Sequence, residues 1–220
     1  MKTTKILPAI ACAMLFAAVV TAAPSVGYKI NMKSGSKVWL EGNSTLHPYE
    51  SIATNVLLDT KMSYNPDGSG LKKLQTLVVL TSQISKCLLV IPVTNLHSPT
   101  WGLDPYLYDT MKYKEYPDIV FSISNYTVAA DAKTAGRYVI RAFGSLKIAG
   151  KEKPETLDAI ADVNDKTIKV VGQTTVRMTD FGIKPPNMMF GTIVCDDKID
   201  VKWDLTVSAE SLTNISIAMQ

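Results

Sequence analysis

The chain has 220 residues, of which 46% are hydrophobic and 20% are charged, and its formal net charge is +3. Such a small charge excess argues against a nucleic-acid partner, because nucleic-acid-binding domains carry a basic footprint. The length fits one β sandwich or barrel as readily as two small domains, and we predict one domain.

The first residues predict a secretory signal peptide. Lys2 and Lys5 give a positive start, an apolar run covers residues 6–20, and small residues follow at 21–23. We predict cleavage after Ala22, so that residues 1–22 are removed and residues 23–220 form a periplasmic or secreted domain. A retained membrane helix is disfavoured, because the apolar run is shorter than the ~20 residues that cross a bilayer.

The first half of the mature chain has the pattern of strands separated by turns. Val38 and Leu40 alternate with polar or amphipathic neighbours, a longer apolar stretch covers residues 52–62, and a turn-forming cluster rich in Gly, Asn and Pro covers residues 65–70. Further extended runs follow at residues 74–80 and 87–93. Pro92 predicts that the second run ends there or lies at a sheet edge.

Residues 99–116 have a different period. Leu103, Leu107 and Met111 recur at every fourth position with charged residues between them, which is helical spacing. We predict one helix here.

Strand patterns resume after the helix. They cover residues 119–124, 138–143, 168–178 and 199–207, with a turn predicted at residues 150–154. The last two segments carry apolar side chains on one parity and polar ones on the other, which is typical of antiparallel sheets with one face in water. About eight or more such strands, with one helix, predict an all-β antiparallel barrel whose helix covers an opening.

The apolar parity of these strands predicts which side chains point into the barrel. They are Phe121, Ile140, Leu146, Val176, Met178, Trp203 and Leu205. These residues could form an ordinary solid core or line a space for one slender ligand, since eight-stranded barrels do both. Gly144 and Gly172 lie on the same parity and would leave room for a ligand.

Met188, Met189 and Phe190 follow two prolines in a predicted loop. Three adjacent large apolar side chains are costly to leave in water, so we expect them to fold over the barrel end. Flexible methionines there would suit contact with a variable apolar ligand. Simple packing of the loop onto the barrel is the alternative.

Cys87 and Cys195 remain after removal of the signal peptide. An even pair in an oxidising compartment permits one disulfide bond, which we predict. Two separate buried thiols are the alternative.

The sequence carries no recognisable catalytic or metal-binding motif. His47 and His97 have no neighbouring histidine or cysteine that would complete a zinc site. Nucleophile elbows, phosphate loops and dinucleotide fingerprints are absent from the sequence. We therefore expect no catalytic residue, no metal and no cofactor, although a catalytic group assembled from scattered residues stays an alternative.

Four segments, taken in their order and spacing, resemble the YceI-like family, also described as a polyisoprenoid-binding, lipocalin-like domain. They are Ser-Thr-Leu-His at 44–47, Tyr-Pro-Asp-Ile-Val-Phe at 116–121, Gly-Ser-Leu-Lys-Ile-Ala-Gly at 144–150 and Asp-Phe-Gly-Ile-Lys-Pro-Pro at 180–186. The sequence departs from many relatives at residues 101–105 and in its two cysteines.

The resemblance implies a bacterial periplasmic or secreted protein with an extended antiparallel eight-stranded lipocalin-like barrel and one helical segment near the mouth. Its lumen would take a polyisoprenoid or a quinone-type lipid. On this interpretation some of the inward residues and of residues 188–190 contact the lipid. Transient contact with a membrane or a membrane protein would load or unload it. A non-catalytic envelope interaction module with a solid barrel is the alternative function, and an unrecognised hydrolase is a third.

Overall fold

The computed structural model describes residues 26–64, 84–164 and 167–212. The strands in them are β1 (Val26–Met32), β2 (Lys37–Ser44), β3 (Tyr49–Ala53), β4 (Leu57–Tyr64), β5 (Ile84–Pro92), β6 (Leu96–His97), β7 (Asp118–Ala130), β8 (Arg137–Ile148), β9 (Lys151–Val163), β10 (Ile168–Arg177), β11 (Asn187–Met188) and β12 (Ile193–Leu212). The α-helix is α1 (Leu103–Thr110), and 3-10 turns cover Val93–Asn95, Met178–Phe181 and Met189–Gly191. The predicted signal peptide (1–22), the turn at 65–70 and the strand at 74–80 lie outside the described residues.

Eight of the described strands close into a ring. The hydrogen-bonded order is β1-β4-β5-β7-β8-β9-β10-β12, and β1 also pairs with β12. Every pairing in this ring is antiparallel. The predicted all-β, eight-stranded antiparallel barrel is therefore confirmed. The strands β2, β3 and β6 extend from β12 as a side sheet.

The predicted parity holds in the last two long strands. In β12, Ile199, Trp203 and Leu205 are buried, whereas Asp200 is exposed. In β10, Ile168 and Val176 are buried. The two strands pair in register over ten residues each, from Ile168 opposite Val207 to Arg177 opposite Lys198. This alternation places one apolar face inside the ring and one polar face in water.

A β-bulge at Ser124 changes the parity of β7. Ile123 pairs with Gly144 and Asn125 pairs with Phe143, so that Ser124 is the extra residue. Its hydroxyl donates to the carbonyl oxygen of Phe143 at 3.0 Å. Because one inserted residue reverses the alternation, Tyr126 faces the interior together with Ile123.

The predicted turn at residues 150–154 is too long. The turn comprises Ala149 and Gly150, which both have positive φ, and Lys151 already begins β9. Pro154 fits inside this strand because β10 pairs with β9 only from Ala159 onward. The missing N–H of the proline therefore falls on an unpaired edge, where it removes no ladder hydrogen bond.

The predicted helix is confirmed, though it is shorter than residues 99–116. Gly102 precedes it with φ 80°, and polar contacts attach it to the barrel end. The Asp104 carboxylate accepts from the Ser98 backbone N–H at 2.7 Å, and the Tyr108 hydroxyl donates to the Leu96 carbonyl at 2.9 Å. Met111 follows the helix and is buried in the core. Within the described residues, this helix is too short and too polar to cross a membrane, and no other helix is long and apolar enough.

Candidate ligand-binding cavity

The barrel encloses a cavity of about 350 Å³. Its wall is formed by inward side chains from all eight ring strands, and by residues of the helical end such as Met111, Phe181 and Ile183. Nearly all of these side chains are apolar. Among the described lining residues, Arg177 alone carries a full charge.

The seven inward residues predicted from alternation all line this cavity: Phe121, Ile140, Leu146, Val176, Met178, Trp203 and Leu205. Contact of these residues with a ligand stays a prediction. Sequence alternation missed Met111, Tyr126, Phe181 and Ile183, which also line the cavity. Phe181 and Ile183 belong to the segment at 180–186 that carries the family resemblance, and this segment was the available signal for them.

The two glycines do not leave space for a ligand as predicted. A Cβ on Gly172 would lie 2.3 Å from Cζ2 of Trp203 and 2.7 Å from the carbonyl oxygen of Asp158. A Cβ on Gly144 would lie 2.2 Å from the carbonyl oxygen of Ser122. The space at Gly172 is thus occupied by the indole, and the space at Gly144 by the backbone next to the β7 bulge.

The prediction that residues 188–190 fold over the barrel end is wrong for Met189 and Phe190. The side chain of Met189 is 69% exposed and that of Phe190 is fully exposed, and Met188 is half-buried. None of the three lines the cavity. The 3-10 turn at Met189–Gly191 holds both Met189 and Phe190 at positive φ, and this backbone directs them away from the barrel.

Four neutral polar side chains interrupt the apolar wall, and one of them is Thr174 on β10. The other three are Thr60 on β4, Cys87 on β5 and Tyr126 on β7. Burial, and secondarily Asp59, raises the pKa of the Cys87 thiol to about 11. Burial, and secondarily Cys87, also raises the pKa of Tyr126. Both groups are therefore protonated and uncharged at neutral pH.

The predicted disulfide is not formed, because Cys87 and Cys195 are both free thiols. Cys87 lies on β5, between β4 and β7, whereas Cys195 lies at the start of β12 opposite Ser44 of β2. These strands are not neighbours in the ring. Cys195 contacts Tyr49 instead. Burial, and secondarily the Cys195 thiol, raises the pKa of the Tyr49 hydroxyl.

Both histidines lie outside the cavity lining. The Nδ1 atom of His47 is 2.7 Å from the carbonyl oxygen of Pro48, in the turn that follows β2. The Nδ1 atom of His97 is 3.0 Å from the carboxylate of Asp104. No cluster of three or more metal-ligating side chains occurs in the part of the chain that the structure describes.

Comparisons with known proteins identify the family. A family model described as a YceI-like domain matches residues 62–207. The fold is similar to that of Burkholderia cenocepacia BcnA, with a TM-score of 0.58 and 17% identity over 80% of this chain and 99% of that chain. It is also similar to a polyisoprenoid binding domain from Saccharophagus degradans implicated in plant cell wall breakdown, with a TM-score of 0.55 and 10% identity over 83% of this chain and 98% of that chain. Among curated protein sequences no match was found. The family-model match covers well over half of the chain, and this chain therefore belongs to the YceI-like domain family.

Proposed function

We propose that this protein is an exported carrier or reservoir that holds a polyisoprenoid or a prenyl quinone in its barrel. The apolar cavity of about 350 Å³ inside the barrel is the observation that carries this proposal. Support also comes from the Saccharophagus degradans domain of similar fold, whose description names polyisoprenoid binding.

The energetics of an empty cavity favour a bound ligand. An empty cavity with an apolar wall lowers stability, because the side chains that line it lack packing partners on one side. A slender apolar chain would offset this cost and would gain roughly 25 cal/mol for each Å² of its surface removed from water. A solid barrel that acts only through its surface would have no use for this space.

The proposed role needs no catalysis. A carrier has to bind and release the lipid, and transient contact with a membrane or membrane protein would supply the route. The predicted signal peptide supports a periplasmic or secreted location. Intact mass spectrometry of the exported protein should show a mature form that begins at Ala23, and a retained leader or a lipidated cysteine would contradict this location.

A lysine on the inner wall tests the function. Leu146 is 9% exposed and faces the cavity, so Leu146→Lys must bury an ammonium beside hydrocarbon or fill the lumen with its stem. We expect the folded variant to lose its bound lipid. Val139→Lys is the matched control, since Val139 lies on the same strand and is 46% exposed on the outer face.

The readout is mass spectrometry of organic extracts from wild type and both variants, with circular dichroism to confirm folding. Lipid in wild type and in Val139→Lys, but not in Leu146→Lys, is the expected result. A folded wild type that carries no lipid, and takes up neither prenyl alcohols nor prenyl quinones, would refute the carrier function in favour of a surface interaction module.

A further inference from the structure

We propose that three exposed apolar side chains at the helical end of the barrel, Leu46, Met189 and Phe190, dock the protein on a lipid bilayer. We call these three side chains the apolar tip. This inference rests on the proposed carrier function and adds the surface through which a carrier would meet the membrane that supplies or receives its lipid.

The apolar tip is built from two neighbouring turns. Leu46 lies in the turn after β2, and the other two side chains belong to the 3-10 turn Met189–Gly191 that precedes β12. Thr45 joins the two turns. Its backbone N–H donates to the Val194 carbonyl oxygen at 3.0 Å, and its hydroxyl donates to the Thr192 carbonyl oxygen at 2.8 Å. The two turns therefore present one surface.

The side chains of the apolar tip are exposed although hydrogen bonds fix the turns that carry them. Leu46 is 65% exposed, and Met189 and Phe190 are exposed as described above. The Ser44 hydroxyl accepts from the Leu46 backbone N–H at 3.2 Å and donates to the His47 carbonyl oxygen at 2.8 Å. Met189 and Phe190 adopt positive φ, which residues other than glycine seldom do. Backbone of this kind is concentrated at functional sites.

The apolar tip lies at the same end of the barrel as the helix. Phe181 and Ile183, which line the cavity, precede the 3-10 turn by a few residues in the chain. The helix α1 packs through Leu107 on the buried cluster that contains Phe181. Trp101, just before α1, is 98% exposed, and tryptophan is a frequent side chain at membrane–water interfaces. Docking through the apolar tip would turn this end of the cavity toward the bilayer.

The chemistry of the apolar tip favours a bilayer over a protein partner. Residues 185–195 and 42–49 contain no Asp, Glu, Lys or Arg, so insertion would bury no permanent charge in hydrocarbon. The three side chains protrude from turns and line neither the cavity nor the groove on the outer face of the barrel. A protein partner would have to supply a pocket for each of them. Fluid lipid chains accommodate protruding side chains in any arrangement.

The test measures binding of the exported protein to large unilamellar vesicles by flotation. The vesicles contain phosphatidylcholine, either alone or with phosphatidylglycerol added. The variants are Leu46→Ser, Met189→Asn and Phe190→Asn, singly and together, since asparagine tolerates the positive φ of the last two positions. Ile160→Thr is the matched control, because Ile160 is 41% exposed on the outer face of β9.

Wild type and Ile160→Thr should bind both kinds of vesicle to a similar extent, because the apolar tip carries no charge that would attract an anionic lipid. Each single substitution should weaken binding about threefold to tenfold, as expected for one apolar side chain that no longer leaves water. The triple variant should not bind. It should still take up a prenyl alcohol from detergent micelles, because its cavity is unchanged.

Tryptophan fluorescence tests the orientation. Vesicles with brominated acyl chains should quench the emission of wild type, and Trp101→Phe should lose this quenching, because Trp203 is only 8% exposed and Trp39 is half-buried. Vesicle-bound protein whose Trp101 is not quenched would overturn docking through this end.

Three further results would overturn the apolar tip and leave the carrier function in place. One is unchanged vesicle binding by the triple variant. Another is a wild type that takes up a prenyl alcohol from micelles but does not bind vesicles. The third is a wild-type dimer that the triple variant abolishes, because a second copy of this chain would then cover the apolar tip. A wild type that takes up neither a prenyl alcohol nor a prenyl quinone from micelles would instead refute the carrier function, whatever the vesicles show.

Discussion

Replacing Gly172 with alanine should destabilise the barrel through the indole of Trp203. The new Cβ would lie 2.3 Å from Cζ2 of Trp203, whereas non-bonded carbon atoms approach to about 3.5–4.0 Å. The indole must therefore move by roughly 1 Å or more, in a side chain that is only 8% exposed. Overpacking of this kind costs about 1–3 kcal/mol, and the carbonyl oxygen of Asp158 at 2.7 Å adds a second clash.

We expect Gly172→Ala to lower the free energy of unfolding by about 2–3 kcal/mol, at the upper end of that range because there are two clashes. This corresponds to a Tm decrease of roughly 4–12 °C for a domain of this size. Because Trp203 also lines the cavity, a displaced indole should reduce bound lipid as well. Urea denaturation measures the first effect and lipid extraction the second.

A double-mutant cycle assigns the cost to the indole. In a Trp203→Leu background the indole clash is absent and the Asp158 carbonyl remains, so Gly172→Ala should cost about 1 kcal/mol less than in wild type. An equal cost in both backgrounds would show that the indole does not constrain position 172. A wild-type-like Tm for Gly172→Ala would refute the packing argument altogether.

Two further predictions concern titratable groups. Arg137 donates two hydrogen bonds to Asp162, at 2.7 and 3.0 Å, and lowers the pKa of that carboxyl. The Arg137–Asp162 pair therefore stabilises the folded state above about pH 4, where the carboxyl of the unfolded chain is ionised. This stabilisation is lost as the pH falls through the lower pKa of Asp162 in the folded state. Denaturation at several pH values should therefore show a shallower acid loss in Asp162→Asn than in wild type, and identical slopes would contradict the pairing. Cys87 is buried with its pKa raised to about 11, so iodoacetamide should label the half-buried Cys195 first in the native protein. Both thiols should label on unfolding without reductant, and protection of both would show that they are bonded after all.

Alternation in the sequence predicts the inner wall well where a strand is long and regular. Val176, Trp203 and Leu205 were placed inside from parity alone, and each lines the cavity. Parity works there because successive side chains of a strand point to opposite faces. It fails beyond Ser124, because a bulge reverses the alternation and only the pairing with β8 reveals the extra residue.

Apolar character alone was misleading where the backbone decides direction. Met189 and Phe190 are as hydrophobic as core residues, yet left-handed backbone angles turn them into solvent. The strand β9 was not predicted, because its inward side chains are too small to give a clear apolar pattern. Its inner face presents the small residues Ala159 and Ala161, which give a weak hydrophobic pattern.

The antiparallel character of the sheet, the helix at Leu103–Thr110 and the apolar inner face follow from the local period of the chain, and the sequence therefore predicts them. Which strands pair with each other is visible only in the folded chain. Closure of the ring through β1 and β12 depends on residues far apart in sequence, and so do the separation of Cys87 from Cys195 and the approach of Thr60 to Cys87. Pairings of this kind are set by register and by the packing of whole strands, which no local window of sequence contains.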